Sequence, residues 1–147
     1  MEAKMETTME TEKIIDRLIN EVKVKFSDNA FLIKVYSIMI NKFKRSRYIS
    51  FNVSEISSCL FISERSLYRR LKEQGTTYFK IKDEIRKRYS IHLLSSKNYT
   101  IKKISKLLYF RSTSAFIYRF KSWYGCTPKK WEEGLELLHD KNECIKP

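Results

Sequence analysis

The sequence predicts an all-α protein: about seven helices forming two helix-turn-helix subdomains joined by a long linker helix. Three observations predict it. Apolar residues recur at spacings of three and four along most of the chain, the period of a helix with one buried face. Three glycines and two prolines in 147 residues leave little material for long irregular loops. And one pattern occurs twice, in "NVSEISSCLFISERSLYRRLKEQG" and "TIKKISKLLYFRSTSAFIYRFKSWYG". Each copy has a capped short helix with Ile-Ser at its middle (Ile56-Ser57, Ile104-Ser105), a short turn and a serine cap. A second helix follows with apolar residues four apart (Leu67 and Leu71; Phe116 and Phe120), and each copy closes on glycine. Ser63 and Ser112, the two caps, stand 49 residues apart. The second helix of each pair is a candidate recognition helix.

The elements follow in order. Residues 1–12 are polar and without period, which predicts a disordered tail. "IIDRLINEV" sets Ile14, Ile15, Leu18, Ile19 and Val22 at helical spacing, so a short amphipathic helix is expected. Its stripe is expected to dock on the domain rather than pair with a second copy, because fewer than two heptads rarely hold a coiled coil. "SDNA", residues 27–30, breaks the pattern and offers an N-cap to the core helix "FLIKVYSIMINKF". Asn52 caps the next helix, with Glu55 at capping-box spacing. Ser63 opens the first recognition helix and Gly75 stops it. A longer helix runs from about Thr77 to Ser95, with Ile81, Ile85, Tyr89 and Leu93 repeating every four residues. Thr100 and Ser112 cap the second pair, Gly125 ends it, and Pro128 starts a last helix through Trp131 to Leu138.

Charge narrows the function. The formal net charge is +13, concentrated in the middle: residues 31–131 hold 23 basic and 5 acidic side chains, while residues 1–30 carry −2 and 132–147 carry −3. A basic body between acidic ends suits a polyanion. No window approaches the roughly 18 apolar residues of a membrane span, and "MEAKMETTMETEK" has no apolar signal core. Cys59, Cys126 and Cys144 are odd in number and lack metal-ligand spacing, so they read as reduced thiols, with Cys59 packed in a helix. His92 and His139 are isolated, and no phosphate loop, zinc motif or paired carboxylates occur. The expectation is a cytoplasmic, nucleoid-associated protein, not an enzyme, with no metal, cofactor or membrane partner.

In the first recognition helix Leu67 and Leu71 mark the buried face, and Arg65, Tyr68 and Arg69 share another, with Ser66 beside them. Arginine can bridge guanine O6 and N7, and a tyrosine ring can meet a thymine methyl or a phosphate. Arg70 and Lys72 lie to the side, where backbone contact is expected. In the second unit the matching face is Thr113, Ser114, Ile117 and Tyr118, flanked by Arg111 and Arg119. Hydroxyls discriminate less between bases, so weaker readout is expected there. The caps Asn52, Ser63, Thr100 and Ser112, with Lys102, Arg111 and Arg119, complete the expected backbone contacts.

From about Ile49 to Trp131, about 80–100 residues, the chain resembles the DNA-binding domain of the AraC/XylS family of bacterial transcription regulators. The residues that carry the resemblance are Ile56-Ser57, "ISERSLYRRLKEQGTTY", Arg86 with "SIHLL", "TIKKISKLLYF", "SAFIYRFKSWYG" and Thr127-Pro128. With the charge and periodicity of the flanks, the expected domain bounds are 1–28 for the acidic tail and short helix, 29–138 for an AraC-type DNA-binding domain (units at about 51–75 and 100–125), and 139–147 for a C-terminal tail. The resemblance implies that the linker helix holds two recognition helices in successive major-groove turns, with base contacts from positions matching Arg65, Tyr68, Arg69, Thr113, Ser114 and Tyr118. Activation is the family's usual mode, and RNA polymerase is the implied protein partner.

Three departures stand out. Tyr109-Phe110 replaces a usual Gly-Phe, so the second turn needs a non-glycine solution; an arginine common at Tyr118 is absent; and Glu132 stands where arginine is frequent. Family members often carry a large sensor domain, and fewer than about 50 residues precede the first unit here, so no small-molecule effector is expected. The expected partner is double-stranded DNA, bound by a monomer or weak homodimer. Two rival readings stay open: a weakly specific architectural DNA binder, and a helical interaction protein that regulates transcription by binding polymerase or another regulator.

Overall fold

A computed structural model describes residues 2–45 and 52–140, with side chains over 9–42 and 52–135. Ile49, Cys144, the last seven residues and the side chain of His139 lie outside that description. Eight helices and no strand occur among the described residues: α1 (Glu2–Lys25), α2 (Ala30–Arg45), α3 (Val53–Cys59), α4 (Glu64–Glu73), α5 (Tyr78–Ser96), α6 (Ile101–Leu107), α7 (Thr113–Tyr124) and α8 (Pro128–Asp140). The chain divides into two units within α5, between Tyr89 and Ser90.

In the first unit α1 packs on α2, α2 on α3 and α3 on α4. Ile15 and Leu18 of α1, Val35 and Met39 of α2, and Leu67 and Leu71 of α4 are all buried along this succession of helices. The stripe of α1 docks as expected. The disordered tail is overturned, because α1 reaches back to Glu2. Met, Glu, Ala and Lys are good helix formers, and the docked stripe from Ile14 to Val22 supplies the costly nucleus from which the helix can propagate.

An ion-pair chain ties α1 to α5: Arg88 reaches Glu21 at 3.2 Å and Glu84 at 3.0 Å, and Lys25 reaches Glu84 at 3.1 Å. Burial alone would raise Glu84, but the hydrogen bonds from Lys25 and Arg88 outweigh it and hold its carboxyl below the ordinary 4.5. A carboxylate depressed on folding stabilises above its unfolded value and loses that contribution as pH falls through the folded one. Acid unfolding should therefore gain slope below about pH 4.5 from this residue. Glu84→Gln should flatten that limb, as followed by circular dichroism; an unchanged acid limb would show that the network contributes nothing.

The repeat is visible bond by bond in the turns. In the first unit the amides of Leu60, Phe61 and Ile62 donate to the carbonyls of Ile56, Ser58 and Ser57. In the second, Leu108, Tyr109 and Phe110 donate to Ile104, Lys106 and Ser105. Phe61 and Tyr109 both take left-handed backbone, at φ 56° and 62°. Tyr109 is the non-glycine solution that the sequence demanded, and Phe61 is its counterpart. Arg111 has no counterpart, which lengthens the second turn by one residue and accounts for the cap spacing of 49.

The Phe61 ring is 94% exposed, so it recovers little packing for its strained backbone. Left-handed backbone costs an L-residue about 1–2 kcal/mol, while glycine's looser unfolded chain returns roughly 0.4–1 kcal/mol of that. Phe61→Gly should therefore stabilise the protein by about 0.5–1 kcal/mol in urea unfolding. A lower midpoint would show that the exposed ring stabilises the fold after all.

The second unit is built on aromatics. Phe116 and Phe120 of α7 are fully buried, with their rings 5.8 Å apart. Phe110 from the turn meets Phe116 at 5.4 Å, and Trp131 of α8 meets Phe120 edge-on at 6.5 Å. Such pairs add to the area that they bury and fix ring orientation. They seat α7 between α6 and α8, on both of which it packs.

Candidate nucleic-acid interface

Each helix of the two repeats starts on the side chain expected to cap it. Asn52 accepts from the Ser54 amide (3.0 Å), Ser63 from Ser66 (3.1 Å), Thr100 from Lys103 (3.1 Å) and Ser112 from Ala115 (3.1 Å). Each satisfies an amide the helix cannot satisfy itself. The capping box at Asn52 does not form, because Glu55 pairs with Lys42 of α2 instead. Ser57 and Ser105 are buried, and each hydroxyl donates to a carbonyl three residues back (Ser54 and Lys102). That is why a serine tolerates the core beside Ile56 and Ile104.

On α4, Leu67 and Leu71 are fully buried, while Arg65, Tyr68 and Arg69 are exposed on the opposite side. Lys72 is exposed one turn beyond Tyr68, so it shares that face instead of lying to the side as expected. Ser66 is half-buried, its hydroxyl 3.0 Å from that of Ser63. Arg69 pairs with Glu73 at 3.9 Å, an exposed ion pair too weakly held to keep the guanidinium from another partner. Arg70 does lie to the flank, its guanidinium 5.8 Å from the centre of the Phe31 ring. Tyr78, at the start of α5, is buried with a hydroxyl that finds no hydrogen-bond partner. Burial, then the neighbouring Tyr68, push its phenol well above the ordinary range.

On α7, Phe116 and Phe120 take the buried side, and Ser114 and Tyr118 are exposed, Tyr118 at 77%. Ile117 is half-buried. Thr113 turns partly inward, its hydroxyl 3.4 Å from that of Ser105. Arg119 leans over the Trp123 ring at 5.8 Å, and Lys102 and Arg111 are exposed. Of the expected base-contact residues, Arg65, Tyr68 and Arg69 share the exposed face of α4 and Ser114 and Tyr118 that of α7, the first mainly cationic and the second hydroxylic, while Ser66, Thr113 and Ile117 are half-buried.

One signal escaped the sequence reading. Gly-x-Thr-x-x-Lys occurs at 75–80 and again at 125–130. The Thr77 hydroxyl accepts from the Lys80 amide (3.1 Å), and the Thr127 hydroxyl from the Lys130 amide (3.3 Å). The repeat therefore includes the start of a third helix in each copy, with an exposed lysine at its first turn. Cys59, expected to pack in a helix, is exposed instead, because α3 buries the side of Ile56 and Ser57 and Cys59 stands off that side at its last position. Among the described residues, no group of three His, Cys, Asp or Glu could hold a metal ion, and no helix is long and apolar enough to cross a membrane.

Comparison with known proteins agrees with this geometry. A family model described as a helix-turn-helix domain matches residues 56–134, more than half of the chain. The porin thermoregulatory protein EnvY of Escherichia coli K12 is 38% identical over 77 residues, covering 52% of this chain and 30% of that protein. The transcriptional activator PerA of E. coli O127:H6 is 33% identical over 100 residues, covering 68% and 34%. The chain thus spans about a third of the length of these curated relatives. A crystal structure of a DNA-binding transcriptional dual regulator from E. coli K-12 superposes with TM-score 0.60 at 26% identity, over 68% of this chain and 92% of that one. The transcriptional regulator CdpR of Pseudomonas aeruginosa shares the fold, with TM-score 0.59 at 23% identity over 68% of this chain and 31% of that one.

Proposed function

The chain belongs to the AraC family of helix-turn-helix regulators, and we propose that it is a sequence-specific DNA-binding activator of transcription. In this reading α4 and α7 enter successive major-groove segments. The observation that carries it is the α4 face: Arg65, Tyr68, Arg69 and Lys72, all exposed opposite a fully buried leucine pair. Such a face offers two guanidinium forks to base edges, one of them held only by the exposed Arg69–Glu73 pair, with cations beside them for phosphates. Ser114, Ile117 and Tyr118 give α7 a second, less charged reading surface. The description of PerA as a transcriptional activator supports the sign of regulation, with RNA polymerase as the protein partner and the cytoplasmic nucleoid as the place of action.

The hydroxylic face of α7 favours one alternative, a binder with little specificity beyond the first half-site. Competition decides between them. Purified chain and duplex alone, with no metabolite added, should give a complex that unrelated duplex displaces only at large excess. Displacement at equal concentration would favour the architectural binder, and no complex with any duplex would favour the helical interaction protein.

A further inference from the structure

We propose that Phe31 is a positioning residue for DNA binding, acting through Arg70. The proposal rests on the reading of α4 as a recognition helix. Phe31 stands in the first turn of α2, outside the 56–134 family match. Its ring underlies the Arg70 guanidinium at 5.8 Å. One turn on, at the C-cap of α4, Gln74 accepts a hydrogen bond from the Asn29 side-chain amide. The other end of the Asn29 side chain accepts from the Leu32 amide at 3.1 Å and so caps α2. The corner between α1 and α2 thus holds the last turns of α4 at two points. The corner is itself anchored, since Leu32, Val35 and Tyr36 are buried and Phe26 packs on Tyr36 at 5.1 Å.

Arg70 is exposed on the flank of the reading face, where a duplex backbone would pass. A free arginine there samples many rotamers and loses them on contact. A guanidinium stacked on a ring keeps its in-plane N–H donors available while its orientation is restricted. Phe31 therefore prepares Arg70 for a phosphate without touching DNA itself.

The test is a double-mutant cycle read by fluorescence anisotropy on one specific and one random duplex. Phe31→Leu keeps an apolar side chain on α2 but removes the ring face. It should weaken binding to both duplexes about threefold, the size of one exposed cation–π contact. The salt slope should stay unchanged, because Arg70 still reaches its phosphate. Arg70→Ala should weaken binding and reduce that slope by about one. Phe31→Tyr should bind like the unsubstituted chain. In the Arg70→Ala background, Phe31→Leu should have no further effect. An equal loss in both backgrounds, or no loss with Arg70 present, overturns the proposal even if DNA binding itself is intact. Failure of the unsubstituted chain to bind any duplex would overturn the recognition-helix reading, and this proposal with it.

Discussion

Affinity for duplex DNA is expected to fall about a thousandfold as salt rises from 50 to 200 mM, taking about six phosphate contacts. The exposed basic residues supply more than enough partners. Arg65, Arg69, Arg70 and Lys72 project from α4, Lys80 from the start of α5, and Lys102, Arg111 and Lys130 from the second unit. Each phosphate neutralised releases condensed counterions, so the loss follows the number of contacts rather than their geometry. The internal ion pairs remove few of these cations, because Glu21 and Glu84 are spent on Lys25 and Arg88 on the α1–α5 side. Anisotropy titrations of a labelled duplex at four salt concentrations measure the slope. A nearly flat response would reject DNA as the partner and leave the helical interaction protein standing.

The parts of this fold that were legible in the sequence are those that local chemistry decides. An N-cap needs only its own side chain and an amide two or three residues on, so Asn52, Ser63, Thr100 and Ser112 could be read directly. The leucine and phenylalanine pairs of α4 and α7 were legible for a similar reason, since spacing alone puts them on one face. The first half of α1 was not. Its sequence has no apolar period, and its helix depends on a stripe that begins at Ile14. Long-range pairs leave no periodic trace either, so Phe31 under Arg70 and Glu21 beside Arg88 appear only once the chain is folded. Phe61 is intermediate. A phenylalanine in left-handed backbone leaves no mark in propensity, yet aligning the two copies sets it against Tyr109, which stands where the family usually has glycine.

Replacing Arg65 and Arg69 together by alanine should cost about 2–6 kcal/mol of binding to the specific site, from two contacts of about 1–3 kcal/mol each. Folding should be untouched, since both side chains are exposed and the Arg69–Glu73 pair is a surface contact at 3.9 Å. On random duplex the variant should lose only its share of the salt-dependent attraction, so specificity falls further than affinity. The two half-sites should respond differently. The α4 face offers two guanidinium forks, each able to bridge a guanine, where the α7 face offers Ser114, half-buried Ile117, exposed Tyr118 and a threonine turned toward Ser105. Scrambling the half-site under α4 should therefore weaken the unsubstituted chain more than scrambling the other. The double variant should become nearly indifferent to that first half-site while keeping its response to the second. Equal losses on specific and random duplex would show that both arginines touch only phosphates. Equal losses from the two scrambled half-sites would show that α7 reads as strongly as α4, despite its hydroxyl-rich face.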